Sequence, residues 1–371
     1  MNVRAWVMAA LAILRCGHVA AAESALRGFV SLAGETDTNA TRTVDAVPGD
    51  GTGHLAPAPL PAPHVQDALL RASTGASIEA ALGDTALRAD AALGLKLFAQ
   101  AASERMVVAQ VRTQLTSREL AWGFVLQSGS AVKVRQQASG ARSYGQVQAD
   151  AGVEHALGAT PLLGDVVVRC SALGDAMAAF DAPVFSQAFA GALLGLTARA
   201  QTPDRLFVTL SGGGRGFPYA SQDNAQPAAA RRLDGSALLS VGMVSSRRMF
   251  LQGSYTLQRN VSNARGEAFS RHRLAAAVGT LLPAEVFVSA QGALQLTQYD
   301  DGVSLGQRFY LDQDEESQNL LVLSARRVLV QTPAQTIALD LRTALYSNEL
   351  TSNGATFARS TIGVGLRADL R

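Results

Sequence analysis

The chain of 371 residues contains two cysteines, two tryptophans and five histidines, and no apolar stretch reaches the length of a membrane-spanning helix. Such a helix needs roughly 20 consecutive apolar residues. Cys16 falls in a segment expected to be removed, so Cys170 remains alone and an intramolecular disulfide is excluded. The fold must therefore hold without covalent staples. His54, His64, His155 and His272 lie far apart and share no zinc-ligand spacing. Charge of one sign is lacking too: 32 basic residues stand against 30 acidic ones. Loss of Arg4 and Arg15 with the leader brings the balance to zero, so the basic isoelectric point gives no argument for nucleic acid as a partner.

What is present begins with a leader. Arg4 precedes the apolar run 5–14, and the small residues Val19-Ala20-Ala21-Ala22 precede Glu23. This order predicts a cleavable secretory signal over 1–22, cut after Ala22. Arg15 directly before Cys16 is a poor fit to a lipoprotein acceptor site. The best later candidate for a membrane helix, 184–198, is short, carries Gln187, and includes Gly191, Gly195 and Thr197 in its interior. If the chain spans a membrane, it does so with strands.

Beyond the leader, apolar and polar residues alternate with a period of two. In 337–346, Ile337, Leu339, Leu341, Thr343 and Leu345 share one face, against Ala338, Asp340, Arg342, Ala344 and Tyr346. The final segment sets Ile362, Val364, Leu366, Ala368 and Leu370 against Gly363, Gly365, Arg367, Asp369 and Arg371. The same split recurs in 87–97, 107–115, 249–258 and 286–297. Alanine in 76–107 invites a helical reading, but Gly83, Gly94 and the Leu93-Leu95-Leu97 spacing favour strand.

A soluble β-sandwich also alternates, with turns every 8–12 residues. Here the segments run about 10–14 residues, enough for a tilted strand to cross a bilayer. Short turns are expected at 83–85, 117–119, 159–164, 202–204, 245–248, 282–284 and 331–334. Longer connections are expected at 37–65, 99–104, 136–143, 179–186, 217–235, 261–270, 299–318 and 347–355. Seven turns interleaved with eight loops predict an all-β fold: a transmembrane antiparallel up-and-down β-barrel of about sixteen strands over 23–371. Short turns would face the periplasm and longer loops the outside, the first loop at 37–65 being rich in proline. The aromatic girdle expected at both interfaces would rest on a few Tyr and Phe.

The polar face carries Arg27, Glu35, Asp37, Arg88, Asp90, Lys96, Arg112, Lys133, Arg135, Asp150, Glu154, Arg169, Asp340, Arg342, Arg367 and Asp369. In lipid each would cost several kcal/mol, whereas a wet lumen solvates or pairs them, so these sixteen are the expected pore lining. Reactive chemistry is absent. The glycines of 211–216 lack the spacing and following helix of a phosphate loop, and no nucleophile elbow occurs. The acids Asp300, Asp301, Asp312, Asp314, Glu315 and Glu316 lack the glycine and distal glutamate of a calcium hand and read as a solvated face. No catalytic residue, metal ligand or cofactor is expected, and the chain is not expected to be an enzyme.

With this pattern in place, the opening strand and its loop, Gly34-Glu35-Thr36-Asp37-Thr38-Asn39-Ala40-Thr41-Arg42, and the closing Leu345-Tyr346-Ser347-Asn348-Glu349 are similar to the bacterial outer-membrane barrels that accompany exopolysaccharide secretion. The resemblance extends over 23–371. It implies a conduit for polysaccharide, working with a periplasmic export protein, inserted by the barrel assembly machinery and surrounded by lipid and lipopolysaccharide. The chain ends Asp369-Leu370-Arg371, without the terminal aromatic common in this class. A general diffusion porin is the alternative, but its pore is narrowed by a long third loop, and 136–143 is short. A structural or adhesive barrel with a blocked lumen is a further alternative.

Overall fold

A computed structural model describes residues 24–40, 65–117, 120, 123–138, 143–160, 164–179, 189–201, 206–218, 233–246, 249–263, 268–300, 319–347, 350–351 and 358–371. The expected signal at 1–22, the central part of the Pro-rich loop and the acidic cluster from Asp301 to Glu316 lie outside these residues.

Sixteen long strands of 12 to 17 residues make up the fold. They are β1 (Ser24–Asp37), β2 (Asp67–Leu82), β3 (Thr85–Phe98), β4 (Met106–Ser117), β5 (Phe124–Gln137), β6 (Tyr144–Thr160), β7 (Gly164–Ala179) and β8 (Phe189–Gln201). They continue with β9 (Leu206–Pro218), β10 (Leu233–Ser246), β11 (Phe250–Ser262), β12 (Phe269–Leu282), β13 (Val286–Tyr299), β14 (Asn319–Gln331) and β15 (Gln335–Ser347). A two-residue β16 (Leu350–Thr351) precedes the last long strand, β17 (Ala358–Leu370). The segment that offered the best membrane helix contributes to strand β8, and the glycines of 211–216 lie inside β9.

Each long strand pairs antiparallel with two neighbours. The pairings run in chain order from β1 to β15, then to β17, and β17 pairs with β1 at residues 28–37, so the sheet closes on itself. At about 3.3 Å per residue and a tilt near 40°, thirteen residues rise roughly 33 Å, enough to cross the apolar layer. The connections alternate in length as expected, with one tie: 138–143 is no longer than 118–123 across the barrel. The tightest turn, Gly83-Asp84, places Gly83 at φ +60°, a conformation glycine adopts without steric cost.

Because cross-strand partners share a face, one outward row can be followed around the ring. Leu32 meets Ala72 and Leu366, Leu366 meets Leu339, and Leu95 meets Val107. Outward apolar side chains such as Leu26, Val30, Leu239, Leu294, Leu341, Val364 and Leu366 are exposed. A water-soluble fold would bury them; a belt of this kind belongs in lipid.

Burial instead lies on the inward face, and it is graded along the barrel axis. Nearly all buried side chains sit in the part of their strand nearest the long connections, among them Leu69, Phe98, Met106, Tyr144, Phe269, Gln295, Thr297, Tyr299 and Tyr346. Toward the short turns the inward side chains are half-buried or exposed, as at Glu79, Arg88 and Asp90. Ala338, 2% exposed near the turn end of β15, is the exception.

Among the described residues the expected aromatic girdle does not form. Phe29, Phe98, Tyr144, Phe250, Phe269, Phe287, Tyr299 and Tyr346 all take inward positions, and only Phe124 and Tyr255 among the described rings take outward ones. Several of these rings pack against cations. Arg271 lies 4.5 Å over Phe269, Arg359 5.2 Å over Tyr346, Lys133 5.8 Å over Tyr144 and Arg367 4.5 Å over Phe29.

Candidate functional site: the inward wall

All sixteen residues predicted for the polar face take inward register positions, opposite the lipid-facing row. Among the residues whose side chains are described, the strand pairing adds eight charged ones to that wall: Asp67, Arg71, Glu79, Asp234, Arg271, Arg273, Arg326 and Arg359. Their parity is the signal that would have found them. Arg71 and Glu79 alternate with outward Leu70 and Ile78, and Arg271 and Arg273 lie two residues apart on either side of outward His272.

Many of these charges are brought together in pairs, some across neighbouring strands and some two residues apart along one strand. Glu35 receives two hydrogen bonds from Arg71, at 2.6 and 3.1 Å, and is within electrostatic reach of Lys96 and Arg342. Its side chain lies in space left by Gly363, where a Cβ would stand 2.5 Å from Glu35 Cγ. Arg326 grips Asp340 through two contacts of 2.6 and 3.0 Å. Arg169 meets Asp150 at 3.1 Å, Arg367 meets Asp369 at 2.8 Å, and Arg88 lies 3.0 Å from Asp90 and 3.5 Å from Glu79.

The pair that closes the ring is different in kind. Asp37 of β1 and Arg359 of β17 meet at 2.6 Å with side chains 0% and 2% exposed. The Asn39 amide donates to Asp37 Oδ1 at 3.0 Å, and the Thr38 amide donates to the Ser360 carbonyl at 3.0 Å. A buried charge pair survives only with such saturation, because each ion has lost its water.

Two polar clusters build the buried rim. Arg271 donates to Gln258 Oε1 and Thr297 Oγ1, both at 3.2 Å, and Gln258 donates to Ser236 at 2.9 Å. Asp67 accepts the backbone amides of Ala68, Gln100 and Ala101, at 2.7 to 2.9 Å for the shortest contact of each, and so fixes the connection 99–105. Among the described residues no group of His, Cys, Asp or Glu could hold a metal ion.

No protein-family model and no curated protein matches the chain. Among solved structures it is similar to a bacterial polysaccharide outer membrane secretin, at 11% identity and a TM-score of 0.41 over 93% of this chain and 98% of that one. It is also similar to the outer membrane protein opdK from Pseudomonas aeruginosa, at 9% identity and a TM-score of 0.43 over 93% and 99% of the two chains. A third similarity is to a triple mutant of the Rhodopseudomonas blastica porin, at 11% identity and a TM-score of 0.35 over 94% and 100%. By its own strand pairing and its exposed apolar belt, the chain is a transmembrane β-barrel of the outer-membrane kind.

Proposed function

We propose that the chain is a non-enzymatic outer-membrane conduit that carries polysaccharide to the cell surface, reached through a signal peptide over 1–22. The observation that carries the reading is the inward wall: polar side chains line a closed ring of sixteen strands and stay open to water toward the short turns. A ring of this strand number can enclose an aqueous channel. The sixteen predicted positions serve as its lining. The third long connection, 138–143, supplies only six residues, too few for the inward-folded loop that narrows a diffusion porin. A periplasmic export protein at the turn-side mouth, lipopolysaccharide around the belt and the barrel assembly machinery are the partners this reading requires.

Deleting the gene should abolish a surface polysaccharide while leaving uptake of small sugars unchanged. Loss of uptake with normal surface polysaccharide would replace the conduit with a porin.

A further inference from the structure

We propose that the polymer passing this wall is anionic, and that it is read near the loop-side end of the lumen by basic groups held in place beside aromatic rings. The inference rests on the conduit reading and names its substrate class. Its first support is charge segregation. The leaderless chain is expected to be neutral, yet the inward face carries fourteen basic and ten acidic described side chains, named above. In the half of each strand nearer the long connections the ratio is eight to five; in the half nearer the turns it is six to five. The cationic excess therefore sits toward the buried, loop-side end.

The second support is how the loop-side acids are used. Asp37 is closed off by Arg359, and Asp67 is spent on three backbone amides. Glu35 stands among Arg71, Lys96 and Arg342. A low-dielectric wall bearing an excess of one sign focuses its potential into the lumen. Lys96, Lys133, Arg273 and Arg342 are half-buried just below the rim, where a chain entering from the turn side would meet them. The Arg342 guanidinium donates to the Tyr346 hydroxyl at 3.0 Å, and Lys133 lies over Tyr144, so these cations are oriented in advance. Guanidinium groups fixed in this way match carboxylate or sulfate groups along a sugar chain.

The test uses the full barrel refolded into lipid vesicles, with fluorescent polygalacturonate, dextran sulfate and neutral dextran of equal length as ligands. Polygalacturonate or dextran sulfate should bind in a salt-sensitive way and dextran should not; which of the two binds tells carboxylate from sulfate. The triple variant Lys96→Gln, Lys133→Gln, Arg342→Gln should weaken binding about tenfold, at roughly half a kcal/mol per partly exposed charge. The turn-side variant Arg27→Gln, Arg88→Gln should change it about twofold or less. Heat-dependent mobility on a gel confirms that each variant is folded. Equal binding of charged and neutral polymers, absence of binding, or equal effects of the two variants would overturn the anionic cargo. Bilayer conductance separates this outcome from failure of the conduit: a folded barrel that binds polyanions but never conducts overturns the conduit, whereas a conducting barrel indifferent to polymer charge overturns only the substrate class.

Discussion

The Asp37–Arg359 pair joins residues 322 apart in sequence and holds the loop-side end of the β1–β17 seam. Asp37→Ala would leave the Arg359 guanidinium shut in, with the Tyr346 ring 5.2 Å away and the carboxylate gone. Stranding one member of a buried ion pair costs about 3–5 kcal/mol. Loss of the Asn39 amide bond adds about 0.5–1.5 kcal/mol. Urea unfolding of the vesicle-inserted barrel, followed by the folded band on unboiled gels, should show a clear fall in midpoint for the single variant. The double variant Asp37→Leu, Arg359→Met removes both charges and should recover most of the loss, because an apolar pair of similar volume carries no desolvation penalty. A single variant within about 1 kcal/mol of the parent, or a double variant as damaged as the single, would refute the reasoning and assign the seam's strength to its backbone ladder.

Three further outcomes follow from the same geometry. Leu341→Arg puts a charge on the lipid-facing row, at a side chain 53% exposed, and should cost about 2–4 kcal/mol in vesicle unfolding, whereas Ala92→Arg on the inward face should cost less than half as much. Asp67→Asn keeps the shape but gives up the charge that holds the Gln100 and Ala101 amides, and hydrogen exchange at those two amides should accelerate while mid-strand amides stay protected. Ala284→Gly relieves a left-handed alanine at φ 64° in the β12–β13 turn and should raise stability by about 1 kcal/mol; no gain in the urea midpoint would show that the turn is not strained.

The faces of the barrel were legible in the sequence because each strand separates two solvents, lipid and lumen water, and a period of two is the only way a strand can serve both. That is why every predicted polar-face residue, from Arg27 to Asp369, takes an inward position. The burial gradient was not legible: whether Arg135 is shut in or open to the lumen depends on what crosses the mouth, which alternation along one strand does not encode. Pairing across the closure was equally hidden, since nothing local to Asp37 points to Arg359. The aromatics differ for another reason. A girdle was expected from the architecture as a class, although the alternation had already set Tyr346 on the polar face, and Phe98, Tyr144 and Phe269 share parity with Lys96, Gln146 and Arg271 and could have been assigned inward from their own strands.

The central claim is a closed wall with lipid on one face and water on the other, and alternate-residue labelling of β15 tests it most directly. In a Cys170→Ser background, single cysteines placed from 337 to 346 would carry a fluorophore in the vesicle-inserted barrel. Labels at 337, 339, 341, 343 and 345 should be quenched from the lipid phase, and labels at 340 and 342 by an aqueous quencher. A period near 3.6, uniform aqueous quenching at every position, or the opposite alternation would contradict the account.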